Sequence, residues 1–337
     1  MKPVYIHSAV CISAQPSFEE QVMHKLPFSE EKIKAVHPQY RDFISPAAAR
    51  RMAPVVKMGV TSASKALLEA NLVTPDAIIT GSGMGCMQDT EKFLNALLKN
   101  NEQFLTPTAF IQSTHNTVGG QIALGLKCQV YNTTYVHGSL SFESALQDAY
   151  IAINEKASQK ILVGAFDELG TEFVDYVALQ DKRTSSAKNV PYSEGAGFFV
   201  LSGETTKHSV QLKGMTTISS ASESDIVSKL ERFLALHNCS FDAIDMLFLG
   251  NTGDCYDGFY DVVHRHFPEE LEKISFKEFS GEFYTAITFA MWWAYYVVSN
   301  QCHPGAQVAS KAAQRYSNVL IYNQDKGRNH SFLLLGK

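Results

Sequence analysis

The chain has 337 residues, 45% hydrophobic and 19% charged, a balance that excludes a disordered chain and allows two core-bearing halves. A net charge of −5, with no basic cluster beyond Arg50 and Arg51, argues against a nucleic-acid partner. The start MKPVYIHSAV is too polar for a signal peptide, and the cysteines at 11, 86, 128, 239, 255 and 302 show no CxxC pair or metal spacing; both point to a cytoplasmic protein with reduced thiols.

In chain order, residues 3–10 predict a first strand, and residues 11–45, broken by Pro16, Pro27 and Pro38, predict an irregular arm or cap. Apolar spacing at Met52, Val55, Val56, Val60 and Leu67 predicts one long helix over 47–70. A strand over 77–80 then runs into Gly81-Ser-Gly-Met-Gly85, followed by a helix over 89–99, a loop around Pro107 and a helix over 119–126. The central stretch predicts a buried strand over 132–136, a sharp step through His137, Gly138 and Ser139, a helix from Leu140 and a strand over 160–165. Such an elbow sets the first helical residues beside unpaired N–H groups and the positive end of the helix dipole, where an enzyme would seat a nucleophile. A further strand is expected over 197–201.

The second half repeats this order: a strand over 245–249, a helix over 259–266, an extended segment over 274–279, an apolar helix over 284–299 and strands over 319–322 and 331–335. Local wording recurs too, IITGSGMG at 78–85 against LFLGNTG at 247–253, and FFVLSG at 198–203 against FLLLGK at 332–337. Two copies of one α/β unit, 1–204 and 205–337, follow as the economical organisation. Helices apolar on every side, at 140–155 and 284–299, imply that they are sandwiched between sheets. The longest apolar run, 286–298, reaches only about 20 Å as a helix against the roughly 30 Å of a bilayer core, so no membrane span is expected.

Several constellations invite chemistry and have plainer readings. In the GSGMG run the third glycine is misplaced for a dinucleotide fingerprint, and a tight turn suffices. Asp257, Asp261, His264 and His266 do not gather on one helical face, so no metal or other cofactor is expected. Ser139 beside His137 lacks the GxSxG elbow of serine hydrolases.

Taken together, Ser113-Thr-His-Asn116 through Gly120-Gln-Ile-Ala123, Glu194-Gly-Ala-Gly197, Lys277-x-x-x-Gly281 and the tandem repeats resemble the β-ketoacyl-acyl-carrier-protein synthases (ketosynthases) of the thiolase fold. The resemblance covers nearly the whole chain and implies a layered α-β-α-β-α sandwich. Condensing members use a cysteine at the helix start and two histidines. Here Ser139 matches the nucleophile position, with Gly138 as its neighbouring alternative; Gly250 matches the first histidine and Glu282 the second. Lys277 and Asn329 match retained family positions, as does Gly327, but the loop 323–329 lacks the family's phenylalanine.

A serine hydroxyl without an adjacent base is a poor nucleophile near neutral pH, and a glutamate opposes a developing enolate. The wording YVHGSLSFESAL is most similar to the chain-length-factor relatives of bacterial aryl-polyene and flexirubin-type clusters. What the resemblance implies is a catalytically silent heterodimer partner of a catalytic ketosynthase, meeting acyl carrier protein through that complex and homodimerising in isolation. It also implies a dimer strand at 132–136 and a tunnel lining drawn from Phe110, His115, Val118, His137 and Gly138. The alternatives are an acyl-transferring enzyme using Ser139 or His137, and a structural scaffold subunit.

Overall fold

A computed structural model describes residues 2–20, 23–180, 189–303 and 315–337. The first strand, β1 (Val4–Ile12), leads into an irregular segment that folds back over the molecule. The helix expected over 47–70 is two: α1 (Pro46–Ala49) and α2 (Pro54–Glu69). Pro54 imposes the break, because a proline cannot donate a helical N–H and forces its predecessor out of the helical region; Ala53 is extended, with φ −60° and ψ 158°. Next come β2 (Ala77–Gly81), α3 (Met87–Lys99), α4 (Pro107–Ser113), α5 (Thr117–Leu126), β3 (Tyr131–Tyr135) and α6 (Ser141–Asn154). Then follow β4 (Lys160–Asp167), α7 (Phe173–Gln180) and β5 (Gly195–Ser202).

The remainder contains β6 (Val210–Ser219), α8 (Glu223–Leu236), β7 (Met246–Leu249), α9 (Gly258–His264), β8 (Glu272–Ser275), α10 (Lys277–Ser280), α11 (Ile287–Asn300), β9 (Asn318–Asp325) and β10 (Asn329–Gly336). The segment expected to be extended over 274–279 is therefore half strand and half helical turn. The strands form one ten-stranded sheet in the order β3-β2-β4-β5-β1-β6-β10-β9-β7-β8. The order on one side of the β1–β6 junction mirrors that on the other, with parallel pairs outermost and antiparallel pairs towards the centre. Both recurrent stretches of sequence fall on equivalent strands, β2 with β7 and β5 with β10.

Three hydrophobic clusters give the layers. The largest holds α6 and α11 between the inner faces of both arms of the sheet. A second packs α2 and α5 on the outer face of β1, β2, β4 and β5, and a third packs α8 and α9 on the outer face of β7, β9 and β10. The result is the expected α-β-α-β-α arrangement. In α11, Ile287 to Ala294 are all buried, as a helix apolar on every side requires. Among the described residues no helix is long and apolar enough to cross a membrane.

One expectation fails in an instructive way. The strand over 132–136 is not buried but lies at the rim of the sheet, pairing among the described residues only with β2. Its residues are exposed or half-buried, and Tyr131 and Val136 are 56% and 52% exposed. A run of Asn132, Thr133, Thr134 and Tyr135 suits a wet edge as well as an interior, because β propensity reports fit to a pleated surface rather than depth.

Candidate active site at the start of the buried helix

Ser139 sits where the sequence places it, in a single 3-10 turn (Gly138–Leu140) feeding α6. Gly138 makes the elbow with φ +54°, a left-handed conformation a side chain would disfavour. Ser139 itself is buried, and among the described residues the one hydrogen bond to its hydroxyl comes from Asn329 Nδ2 at 3.4 Å. His137 is not part of this seat. Its ring is exposed and turned to Ser144 Oγ at 3.1 Å, while its backbone N–H donates to Ser141 Oγ. Two residues apart on a sharp turn, the two side chains leave in different directions.

The matching positions from the second half converge on the same place. Lys277, buried on α10, pairs through Nζ with Glu282 Oε2 at 2.8 Å. Gly250 follows β7, and a side chain there would have to displace its neighbours. A Cβ there would stand 2.4 Å from Asn323 Oδ1, 2.7 Å from the Tyr260 hydroxyl and 3.2 Å from Lys277 Cε. The space a histidine would occupy is thus filled by Asn323, Tyr260 and Lys277. Glu143, one turn along α6 from Ser139, was not anticipated. It is fully buried, and Oε1 accepts from Ser331 Oγ at 2.7 Å. Asn329 and Ser331 lie two apart on β10 and therefore on one face, so strand β10 addresses both Ser139 and Glu143. Burial pushes the Glu143 carboxyl up to about 7, while the Ser331 hydrogen bond and the charge of Lys277 pull the other way.

An open cleft reaches Lys277 and Glu282 from outside, lined also by Met84, Glu168, Tyr192 and Tyr284 among others. None of the five pocket candidates lines it. Phe110 is exposed on α4, Val118 is core packed over Gly59, and His115 lies against Gly85; His137 and Gly138 are not among the residues lining the cleft.

The walls of the cleft are held by buried carboxylates. Asp167 Oδ1 accepts from Ser82 Oγ, Gly83 N and Met84 N, and Oδ2 from the backbone and hydroxyl of Thr285. The glycine-rich turn after β2 does form an anion cradle, and the anion it holds is the protein's own Asp167. Burial pushes this carboxyl up to about 6 against all these donors. Glu168 accepts from the N–H groups of Val55 and Gln88, and Glu91 caps α7 through Thr171, Glu172 and Phe173. Cys86 precedes α3 at a helix start, yet burial and the neighbouring Glu168 and Asp89 push its thiol far up, so it offers no thiolate. Asp257 is used by the turn itself, accepting from Thr252 N and Gly253 N, and among the described residues no cluster of His, Cys, Asp and Glu is arranged to hold a metal.

Such a layered sheet with a buried helix in each arm, the site at the start of one of them, defines the thiolase-like class. Residues 24–241 match the family described as beta-ketoacyl synthase, N-terminal domain, and the chain belongs to that family. No curated protein matches it in sequence. Among solved structures it is similar to the ishigamide ketosynthase/chain length factor, with a TM-score of 0.77, 12% identity and 99% of each chain covered. It is similar also to a ketosynthase in complex with its chain length factor from Xenorhabdus doucetiae (TM-score 0.74, 12% identity, 99% of this chain and 98% of that one). A third is a type II polyketide ketosynthase in complex with its acyl-carrier protein (TM-score 0.75, 17% identity, 100% and 99%). At these identities the likeness is one of fold.

Proposed function

We propose that this chain is a catalytically silent ketosynthase-like subunit that pairs with a catalytic ketosynthase and shapes the tunnel for the growing acyl chain, in the manner of a chain length factor. The observation that carries the reading is the filled space at Gly250. With Asn323, Tyr260 and Lys277 in place of a first histidine, and Glu282 in place of the second, among the described residues no base hydrogen-bonds the Ser139 hydroxyl and an enolate would meet a carboxylate. The rival in which His137 activates Ser139 loses support from the outward turn of that ring. The chain divides in this reading into related halves, 1–204 and 205–337, and the unpaired rim of β3 is the edge on which the partner continues the sheet. Acyl carrier protein meets the pair through the ketosynthase.

The test is reconstitution with a candidate ketosynthase, carrier protein and extender. A one-to-one complex is expected, with no mass added to the peptide containing Ser139. Gly120, on α5 beside the rim, has open space in front of it, whereas a Cβ at Gly119 would meet Asn132 Oδ1 at 2.9 Å; Gly120→Leu is therefore the variant expected to shorten the product with the complex intact. Unaltered product length would favour a scaffold, and a Ser139-dependent acyl adduct that turns over would make the chain an enzyme.

A further inference from the structure

The Lys277–Glu282 ion pair in the cleft is buried, yet both of its partners are held in place by a segment that is hardly buried at all. Residues 23–33 of the N-terminal arm form no helix or strand, and Leu26 is the one buried side chain among them. What fixes them is polar, and it falls on the walls of the cleft. On α10, the Leu26 N–H donates to Glu278 O at 2.8 Å, Lys25 pairs with the Glu278 carboxylate, and the buried amide of Gln15 donates to His24 O at 2.7 Å and to Phe279 O at 2.8 Å. At α7, the Lys32 ammonium meets Asp175 and the carbonyl of Thr171. Between these two anchors the arm is one edge of a three-segment ladder, in which Tyr192 bridges Lys32 on one side and Glu282 on the other. Ile33 N–H donates to Tyr192 O and Tyr192 N–H to Glu31 O, each at 2.8 Å; Glu282 N–H donates to Pro191 O at 2.8 Å, and Ser193 N–H to Glu282 O at 2.9 Å. Ser193 Oγ also donates to Ile33 O at 2.7 Å.

We propose that residues 23–33 are a strap that governs access to Lys277. Seated, the strap holds the lysine through its own turn, α10, and the glutamate through the ladder, so that the ammonium is paired and shut in. Lifted, it releases both partners together and opens the inner end of the cleft. A segment held by a few hydrogen bonds and ion pairs at the surface, with little apolar burial, opens at a far smaller free energy than the sheet beneath it. The cleft therefore opens without unfolding the core, and the state of the arm sets whether the lysine can be reached. Gly281, between α10 and Glu282, leaves the ladder no slack: a Cβ there would stand 2.3 Å from Ser193 Cβ, so a shift of the 191–193 segment is passed directly to residue 282.

The experiment uses the full chain and two readouts, amide hydrogen exchange and reductive methylation of lysines by formaldehyde, the latter resolved by peptide mass. In the wild type the amides of Leu26, Ile33, Ser193 and Glu282 are expected to share one protection to within about three-fold, at least about ten-fold below that of β2 and β4, with Lys277 methylated in step with them. Gln15→Glu keeps the shape of the side chain but sets a carboxylate against the carbonyl oxygens of His24 and Phe279. It should raise methylation of Lys277 at least about ten-fold. Lys213, bonded to Asn318 Oδ1 in the other arm of the sheet, should be unchanged. A Glu282 amide as protected as those of β2 and β4 while Leu26 and Ile33 exchange freely overturns the proposal. So does Gln15→Glu with freely exchanging Leu26 and Ile33 amides and an unreactive Lys277. An equal rise at Lys213 marks global unfolding of the variant, and the wild-type exchange then decides alone. Neither readout involves a partner or a product, so each stands apart from the test of the heterodimer reading.

Discussion

A methyl group at position 250 would press on Asn323, Tyr260 and Lys277 at once, so Gly250→Ala is expected to cost about 1–3 kcal/mol, as overpacking of a filled site does; urea denaturation measures it. For the same reason Ser139→Cys combined with Gly250→His and Glu282→His should show no malonyl decarboxylation, checked by release of labelled carbon dioxide. Glu143 makes the stability of the fold depend on pH. Its carboxyl lies at about 7 in the folded chain against an ordinary 4.5. A raised value means that the group's favourable contribution is complete below 4.5 and is lost as the pH rises through about 7. Glu143→Gln removes that loss, so the variant should gain on wild type across this window, by at most roughly 3 kcal/mol above it. Denaturation curves of the two proteins over the pH range give the difference directly. Ser139, Lys277, Glu282 and Asn329 were legible in the sequence because each stands in a motif of recognisable order. Glu143 was not: an acid on an apolar helix reads as a solvent-facing residue until β10 is seen to bring Ser331 to it. The occupants of the space at 250 come from α9, α10 and β9, and nothing in the GNTGD run announces them.

The strands and buried helices announced themselves because each carries a continuous apolar run bounded by glycine or a polar turn. The errors fell where local pattern does not encode depth or a break. The spacing of α2 continued back through α1, although Pro54 carries the interruption, and the rim position of β3 depends on its neighbour β2 and on nothing within the run. Between 202 and 245 no element stands out from the sequence, yet β6 and α8 lie there; the alternation of β6 is blurred by Thr216 and Thr217 in a half-exposed stretch. The clamps between elements were equally hidden, since a carboxylate that accepts from backbone N–H groups leaves no trace in side-chain spacing. Asp167 ties the turn after β2 to the start of α11 from the end of β4. Asp167→Ala leaves the donors of Ser82, Gly83, Met84 and Thr285 without their acceptor, and a loss of at least about 3 kcal/mol is expected. Hydrogen exchange should quicken first at the Gly83, Met84 and Thr285 amides, with the amides of β9 and β10 little changed.

At the scale of the molecule, the rim of β3 and its flanks carry a concentration of exposed apolar side chains, Phe110 and Ile111 on α4, Leu124 on α5, Tyr131 and Val136. An unpaired edge bordered by such residues is a template for association. Val136→Asp is expected to abolish the complex with a ketosynthase and leave the isolated chain folded, with light scattering and circular dichroism as the paired readouts. A second consequence belongs to the junction of the two arms, where β1 pairs with β6 through Val4, Ile6 and the residue between them. Its other partner is β5, with Tyr5 facing Ser202. The middle of the sheet is therefore built from a segment whose neighbours come off the ribosome only after most of the first arm has been made. Contacts so distant along the chain close slowly because loop entropy opposes them before any burial rewards them. During that interval β1, which alternates little and is almost wholly apolar at its end, has no sheet to join. Biosynthesis of this chain thus has a window in which its earliest strand is vulnerable to mispairing, and its yield should depend on what meets β1 first: chaperone, β5, or another nascent copy.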